Sequence, residues 1–83
     1  MIAFRKRAWE DYVHWQQTDR KMLQRINVLI RDIQRDPCAG IGKPEPLRHQ
    51  FTGLWSRRID DEHRLVYTFI DDELVIVQCR YHY

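Results

Sequence analysis

Three residues far apart in the chain, Glu45, Arg64 and His82, could together cut RNA without a metal. The ribose 2′-hydroxyl is RNA's own nucleophile. Cleavage needs that proton removed, the charge on the phosphate stabilised, and the departing 5′ oxygen protonated. A carboxylate and an imidazole serve as general acid–base groups, each typically worth ~10²–10⁴-fold. A guanidinium grips phosphate oxygens through paired, charge-assisted hydrogen bonds. His82 stands in the closing run Arg80-Tyr81-His82-Tyr83, directly after the strand-like Leu74-Val75-Ile76-Val77, so a free-ended strand can carry it to a cleft. Taken singly, each residue has a plainer explanation: Glu45 as a solvated loop carboxylate, Arg64 as a strand-end cation pairing with Glu62, His82 as a frayed terminal residue. His14, His49 and His63 read as incidental. No Asp, His or Cys group has ligand-like spacing, so neither a metal nor a cofactor is expected.

These side chains need a scaffold. Met1 to Phe4 is short and apolar enough for a first strand. Ala8, Tyr12 and Trp15, with Trp9 and Val13 beside them, then recur at helical spacing. Thr18-Asp19 offers a cap, and Met22, Leu23, Ile26, Leu29, Ile30 and Ile33 mark a second amphipathic helix. It must stop near Asp36, because Pro37 disfavours helical geometry in the residue before it. Residues 37–53 hold all three prolines and all three glycines of the chain. Pro44 and Pro46 flank Glu45 and confine its backbone. Three strands follow, roughly Leu54 to Ile59, Arg64 to Ile70 and Leu74 to Tyr81, joined by the polar turns Asp60-Asp61-Glu62 and Asp71-Asp72-Glu73. The order predicts a single α+β domain over residues 1–83, β-α-α-β-β-β, with an antiparallel sheet and both helices on one face.

Parity along the strands predicts which residues share the uncovered face. Leu65, Tyr67 and Phe69 should meet the helices, as should Val75, Val77, Cys79 and Tyr81. Arg64, Gln78, Arg80 and His82 should then lie on the open face, joined by Ser56 and Arg58. Arg57, opposite in parity to Arg58, reads as a solvated or interface charge.

Composition limits the alternatives. One domain of 83 residues buries somewhat over ~60% of its unfolded surface. Ten aromatics add core area, and most of the three tryptophans are expected inside. Net charge is only +2 although 31% of residues are charged, so contact with nucleic acid requires local basic patches. Cys38 and Cys79 form no disulfide framework and read as reduced structural residues. No apolar run approaches ~18 residues and no signal peptide is evident, so no membrane contact and a cytoplasmic location are expected.

Several spaced motifs, in order and nearly end to end, resemble the YoeB/Txe group of the RelE-like superfamily of bacterial toxin–antitoxin toxins. They include Trp9-Glu10-Asp11-Tyr12, Trp15-Gln16 with Thr18-Asp19, and Ile26-Asn27 with Leu29-Ile30. More specific are Gly42-Lys43-Pro44-Glu45-Pro46-Leu47, Leu54-Trp55-Ser56-Arg57-Arg58-Ile59, Glu62-His63-Arg64-Leu65-Val66-Tyr67 and Cys79-Arg80-Tyr81-His82-Tyr83. The resemblance implies a RelE-like fold and a ribosome-dependent endoribonuclease, an mRNA interferase, that cuts the message in the A site and stops translation. It implies Glu45 as general base, Arg64 as phosphate stabiliser, His82 as general acid and Tyr83 as the aromatic shaping the site. Arg48 and Arg58 match basic positions near the phosphate, and Arg80 joins them as an expected phosphate-binding residue. The products would be a 5′-hydroxyl and a 2′,3′-cyclic phosphate or its opened 3′-phosphate. A cognate antitoxin and a homodimer are implied as partners, beside the ribosome and mRNA. Cys38 replaces a frequent bulky aromatic, and Arg48 the more familiar lysine; a fork does not reproduce a point charge.

From the residues alone, the acid and base roles can be exchanged, since coupled groups titrate as a unit. Two other functions also fit: a non-catalytic ribosome- or RNA-binding module that blocks translation by occupancy, and a pure interaction protein using its tryptophans.

Overall fold

The computed structural model describes residues 1–83. Helix α1 (Lys6–Thr18) buries Ala8, Asp11 and Trp15 along one stripe. Asp19 ends it and starts the next: its carboxylate accepts from the main-chain N–H groups of Lys21 and Met22, two donors that the first turn of a helix leaves free. Helix α2 (Arg20–Arg35) buries Ile26, Leu29, Ile30 and Ile33 and stops at Asp36, ahead of Pro37. Both helices lie on one face of the sheet. Their apolar stripes share a cluster with Ile59, Leu65, Tyr67, Leu74, Ile76 and Cys79.

The sheet has five strands, β1 (Ile2–Phe4), β2 (Glu45–Pro46), β3 (Trp55–Arg58), β4 (Arg64–Ile70) and β5 (Glu73–Gln78), in the order β1-β5-β4-β3-β2. The α+β architecture stands, with two differences from expectation. The sheet is mixed, because β1 runs parallel to β5 with Ile2 opposite Leu74 and Phe4 opposite Ile76. That pairing covers the outer edge of β5 and packs Ile2 and Phe4 against the core. A fifth strand also forms where a loop was expected: Glu45 pairs with Ser56 and Pro46 with Trp55 at the opposite edge. Proline is tolerated there because an edge strand needs only one row of donors.

Parity holds on β3, and on β4 as far as Tyr67. Phe69, expected against the helices, is exposed near the far end of β4, and Tyr81 is exposed beyond the end of β5. On the first half of β5 parity fails. Tyr67 pairs with Ile76 and Val66 with Gln78, so Val77 is left over as a bulge. Before the bulge, Leu74 and Ile76 face the core, and Val75 lies on the other side opposite Thr68. The expected inward Val75 and outward Ile76 are therefore exchanged. After the bulge, Cys79 points in and Gln78 out, as alternation predicts.

Arg57 is a second correction. Its side chain has no exposure at all and is not a solvated charge. It pairs with the Asp32 carboxylate, donates to the Tyr67 hydroxyl at 3.2 Å, and donates to the carbonyls of Asp36, Ala39 and Ile41 at 2.6, 3.1 and 3.1 Å. A buried guanidinium requires partners for its donors, and the 36–41 loop supplies them. That loop is thereby tied to the underside of β3. Of the tryptophans, Trp15 is buried, Trp55 half-buried and Trp9 half-exposed. Cys38 is exposed and Cys79 buried, both as free thiols.

Candidate active site

Register brings the separated residues together. Cross-strand partners share a face, so Glu45, Ser56, Val66 and Gln78 form one row across the sheet on the side away from the helices. Arg58 and Arg64 are partners on that same face, one step further along β3 and β4. The chain after β5 folds back over the row, because the Gln78 amide donates to the carbonyl of His82 at 2.9 Å. The result is a cleft of about 200 Å3 lined by Lys43, Glu45, Ser56, Arg58, Arg64, His82 and Tyr83.

Glu45 reaches one wall through the proline-flanked β2 and is exposed. The loop before it is fixed at Gly42, whose carbonyl accepts from Arg58 N–H at 2.6 Å. Arg64 enters from the start of β4. Its Nη1 donates to the carbonyls of Asp60 and His63 at 2.8 and 3.1 Å, while Nε and Nη2 have no protein acceptor. The plainer alternative, a pairing of Arg64 with Glu62, does not form; backbone oxygens hold the guanidinium instead. Three cations, Lys43, Arg58 and Arg64, face one carboxylate, Glu45, so the cleft favours an anion.

Arg48 lines an adjoining open groove of about 620 Å3, which shares Glu45 and Tyr83 with the cleft. Phe51, from the same groove, meets the Tyr83 ring edge-on at 6.0 Å. Arg80 lies elsewhere. Its guanidinium stands over the Tyr81 ring at 4.6 Å and the Trp15 ring at 6.0 Å, on the helix side, so it does not join the cleft. Strict alternation put Arg80 beside Gln78, but the chain leaves the sheet after Gln78.

Two lining residues were not singled out from sequence. Lys43 sits two residues before Glu45 with a positive φ of 50°, a conformation that turns the loop. Ser56 was placed on the open face but given no role. Elsewhere, no three His, Cys, Asp or Glu side chains converge, and no helix is long and apolar enough to cross a membrane.

The profile of the YoeB-like toxin of bacterial type II toxin-antitoxin systems matches residues 4–83. The chain belongs to this family of YoeB-like toxins. It is 65% identical over 82 residues to Toxin YoeB of Streptomyces coelicolor, covering 99% of this chain and 98% of that one. Among solved structures it resembles the heterotetrameric YoeB-YefM toxin-antitoxin complex from Staphylococcus aureus, with a TM-score of 0.93 and 50% identity over 100% of this chain and 97% of the other. The YoeB dimer from the same organism gives a TM-score of 0.91 and 51% identity, covering 99% of this chain and 95% of its counterpart. The cleft of this YoeB-like toxin is polar and cationic.

Proposed function

We propose that this protein is a ribosome-dependent endoribonuclease that cuts mRNA in the A site by acid–base chemistry through the 2′-hydroxyl. The supporting observation is the single cleft that gathers Glu45, Arg58, Arg64, His82 and Tyr83 from four separate segments. Glu45 takes the 2′-hydroxyl proton as the oxygen attacks phosphorus. Arg64 offers its free Nε and Nη2 to the phosphate oxygens, and Arg58 and Lys43 add positive charge. His82 gives a proton to the departing 5′ oxygen, leaving a 2′,3′-cyclic phosphate and a 5′-hydroxyl. Tyr83, braced by Phe51, supplies an aromatic surface for a base. Arg48 extends the positive surface along the neighbouring groove.

The same reading takes the S. aureus relatives' assemblies as a guide. This toxin pairs with a cognate antitoxin and forms a homodimer in the bacterial cytoplasm, where its ribosomal target lies.

Brief expression in bacteria, followed by mapping of transcript 5′ ends, tests the proposal. New ends within translated frames are expected for the unaltered protein. Glu45→Ala and His82→Ala should keep the fold and lower cleavage by ~10²-fold or more each. Growth arrest with intact messages would instead favour simple blocking of the A site. Normal cleavage by both variants would remove the assigned roles.

A further inference from the structure

One buried titratable ring lies outside the cleft and has no part in the chemistry above. His63 closes the β3–β4 turn and is only 8% exposed. Its Nδ1 accepts a hydrogen bond from the Tyr81 main-chain N–H at 2.7 Å. To accept, Nδ1 must carry a lone pair, which leaves the ring proton on Nε2. Nε2 faces the exposed Glu62 carboxylate at 3.7 Å. Trp15 meets the ring edge-on at 4.9 Å, and the Tyr81 ring lies at 5.7 Å under the Arg80 guanidinium.

The bond falls where the chain changes direction. Tyr81 has a φ of 64°, in the left-handed region that a tyrosine does not adopt without support. It is held at both ends: its N–H by His63, and its carbonyl by Arg64 N–H at 3.0 Å. The next carbonyl, that of His82, is held by Gln78. The turn at Tyr81 is what sends His82 and Tyr83 back over the sheet. The residue adjacent to Arg64 thus fixes the segment that carries the general acid.

We propose that His63 is a positioning residue: its Nδ1 docks the Tyr81 amide and thereby aims His82 and Tyr83 into the cleft. The catalytic consequence rests on the ribonuclease reading; the docking does not. His63 touches neither substrate nor the reacting atoms.

Three measurements test it. Long-range 1H–15N spectra of the unaltered protein read the ring directly, and an unprotonated Nδ1 is expected; a proton on Nδ1 at neutral pH overturns the proposal. His63→Phe keeps an aromatic ring against Trp15 but removes the acceptor, whereas His63→Asn places an acceptor oxygen near the Nδ1 position. Amide exchange at Tyr81 should speed up at least about tenfold in the Phe variant and much less in the Asn variant. Single-turnover cleavage on programmed ribosomes at saturating toxin should fall roughly 10- to 100-fold for Phe, as for other small misplacements of a catalytic group. The toxin concentration at half-saturation should stay unchanged, and Asn should recover most of the rate. Equal impairment of both variants, or a Tyr81 amide as slow in Phe as in the unaltered protein, shows that His63 only packs. Should the Phe variant fail to fold, the ring spectrum and the Asn variant still decide. If the unaltered protein cuts no message, the ribonuclease reading fails, while the ring spectrum and Tyr81 exchange still judge the docking.

Discussion

Arg64 shows what one side chain must do to be both fixed and available. Two carbonyls hold Nη1, and that leaves a fork edge, Nε and Nη2, free for the two phosphate oxygens that the proposed reaction would bring. A lysine would keep the charge and lose both the tether and the fork. Arg64→Lys is therefore expected to fold normally and cleave at least about tenfold more slowly, measured as single-turnover rate on programmed ribosomes; a rate equal to that of the unaltered toxin would mean that charge alone suffices. If Glu45 and His82 act as base and acid, the rate should fall on both sides of an optimum pH, and each limb should vanish in the variant lacking its group. A profile flat in pH with slow chemistry would count against this pairing. Arg58 and Arg64 could be placed on the open face from residue type and strand parity. Glu45 and His82 could be singled out by residue type and setting but not placed by parity, since Glu45 lay in an expected loop and His82 lies beyond the end of β5. Arg57 and His63 were not legible from sequence. Whether a cation is solvated or clasped depends on loop carbonyls 16 to 21 residues away, and a histidine's role depends on which lone pair meets which amide. Neither leaves a mark in spacing.

At the scale of elements, the loop before Glu45 is set by Gly42. Its φ is 79°, and a Cβ there would come within 2.9 Å of Leu29 Cδ2 and 3.0 Å of the Arg58 carbonyl. An alanine would have to adopt a left-handed conformation, at roughly 1–2 kcal/mol, and push against both helix and strand. Gly42→Ala should lower the thermal midpoint by about 5–15 °C, since each kcal/mol shifts a domain of this size by ~4–8 °C. It should also slow cleavage more than the stability loss explains, because the displaced loop carries Lys43 and Glu45. An unchanged midpoint in a thermal melt would show that the loop has slack. Helix boundaries and the strands β3 and β4 could be read from periodicity, caps and proline placement. The β5 bulge could not. Its residues, Leu74 to Val77, are all apolar, so alternation had no polar marker to reveal the extra residue. The two-residue β2 is too short for any periodic signal and exists because β3 offers an edge.

On the scale of the whole molecule, Arg57 and Asp32 join four parts of the fold: α2 through Asp32, the 36–41 loop through three carbonyls, β3 through Arg57 itself, and β4 through the Tyr67 hydroxyl. The Arg57 guanidinium, helped by the Ile41 N–H at 3.0 Å and by Arg35, holds the Asp32 carboxyl well below its ordinary value of 3.8, at about 2. The direction fixes the sign of its contribution. In the unfolded chain Asp32 takes up its proton near pH 4, whereas in the folded protein it resists down to about pH 2. Between these values the unfolded state binds more protons, so falling pH favours unfolding. The stabilisation is complete above about pH 4 and disappears as pH drops through about 2. Asp32→Asn keeps the shape and removes the titration. Urea midpoints of both proteins, measured from pH 7 to pH 2, should differ most at neutral pH and converge over the lowest two units. Comparing the pair cancels the other carboxylates, which titrate in both. A gap that stays constant to pH 2 would mean that Asp32 is not held as an anion by the fold, and that the clasp under β3 contributes by shape and neutral hydrogen bonds alone.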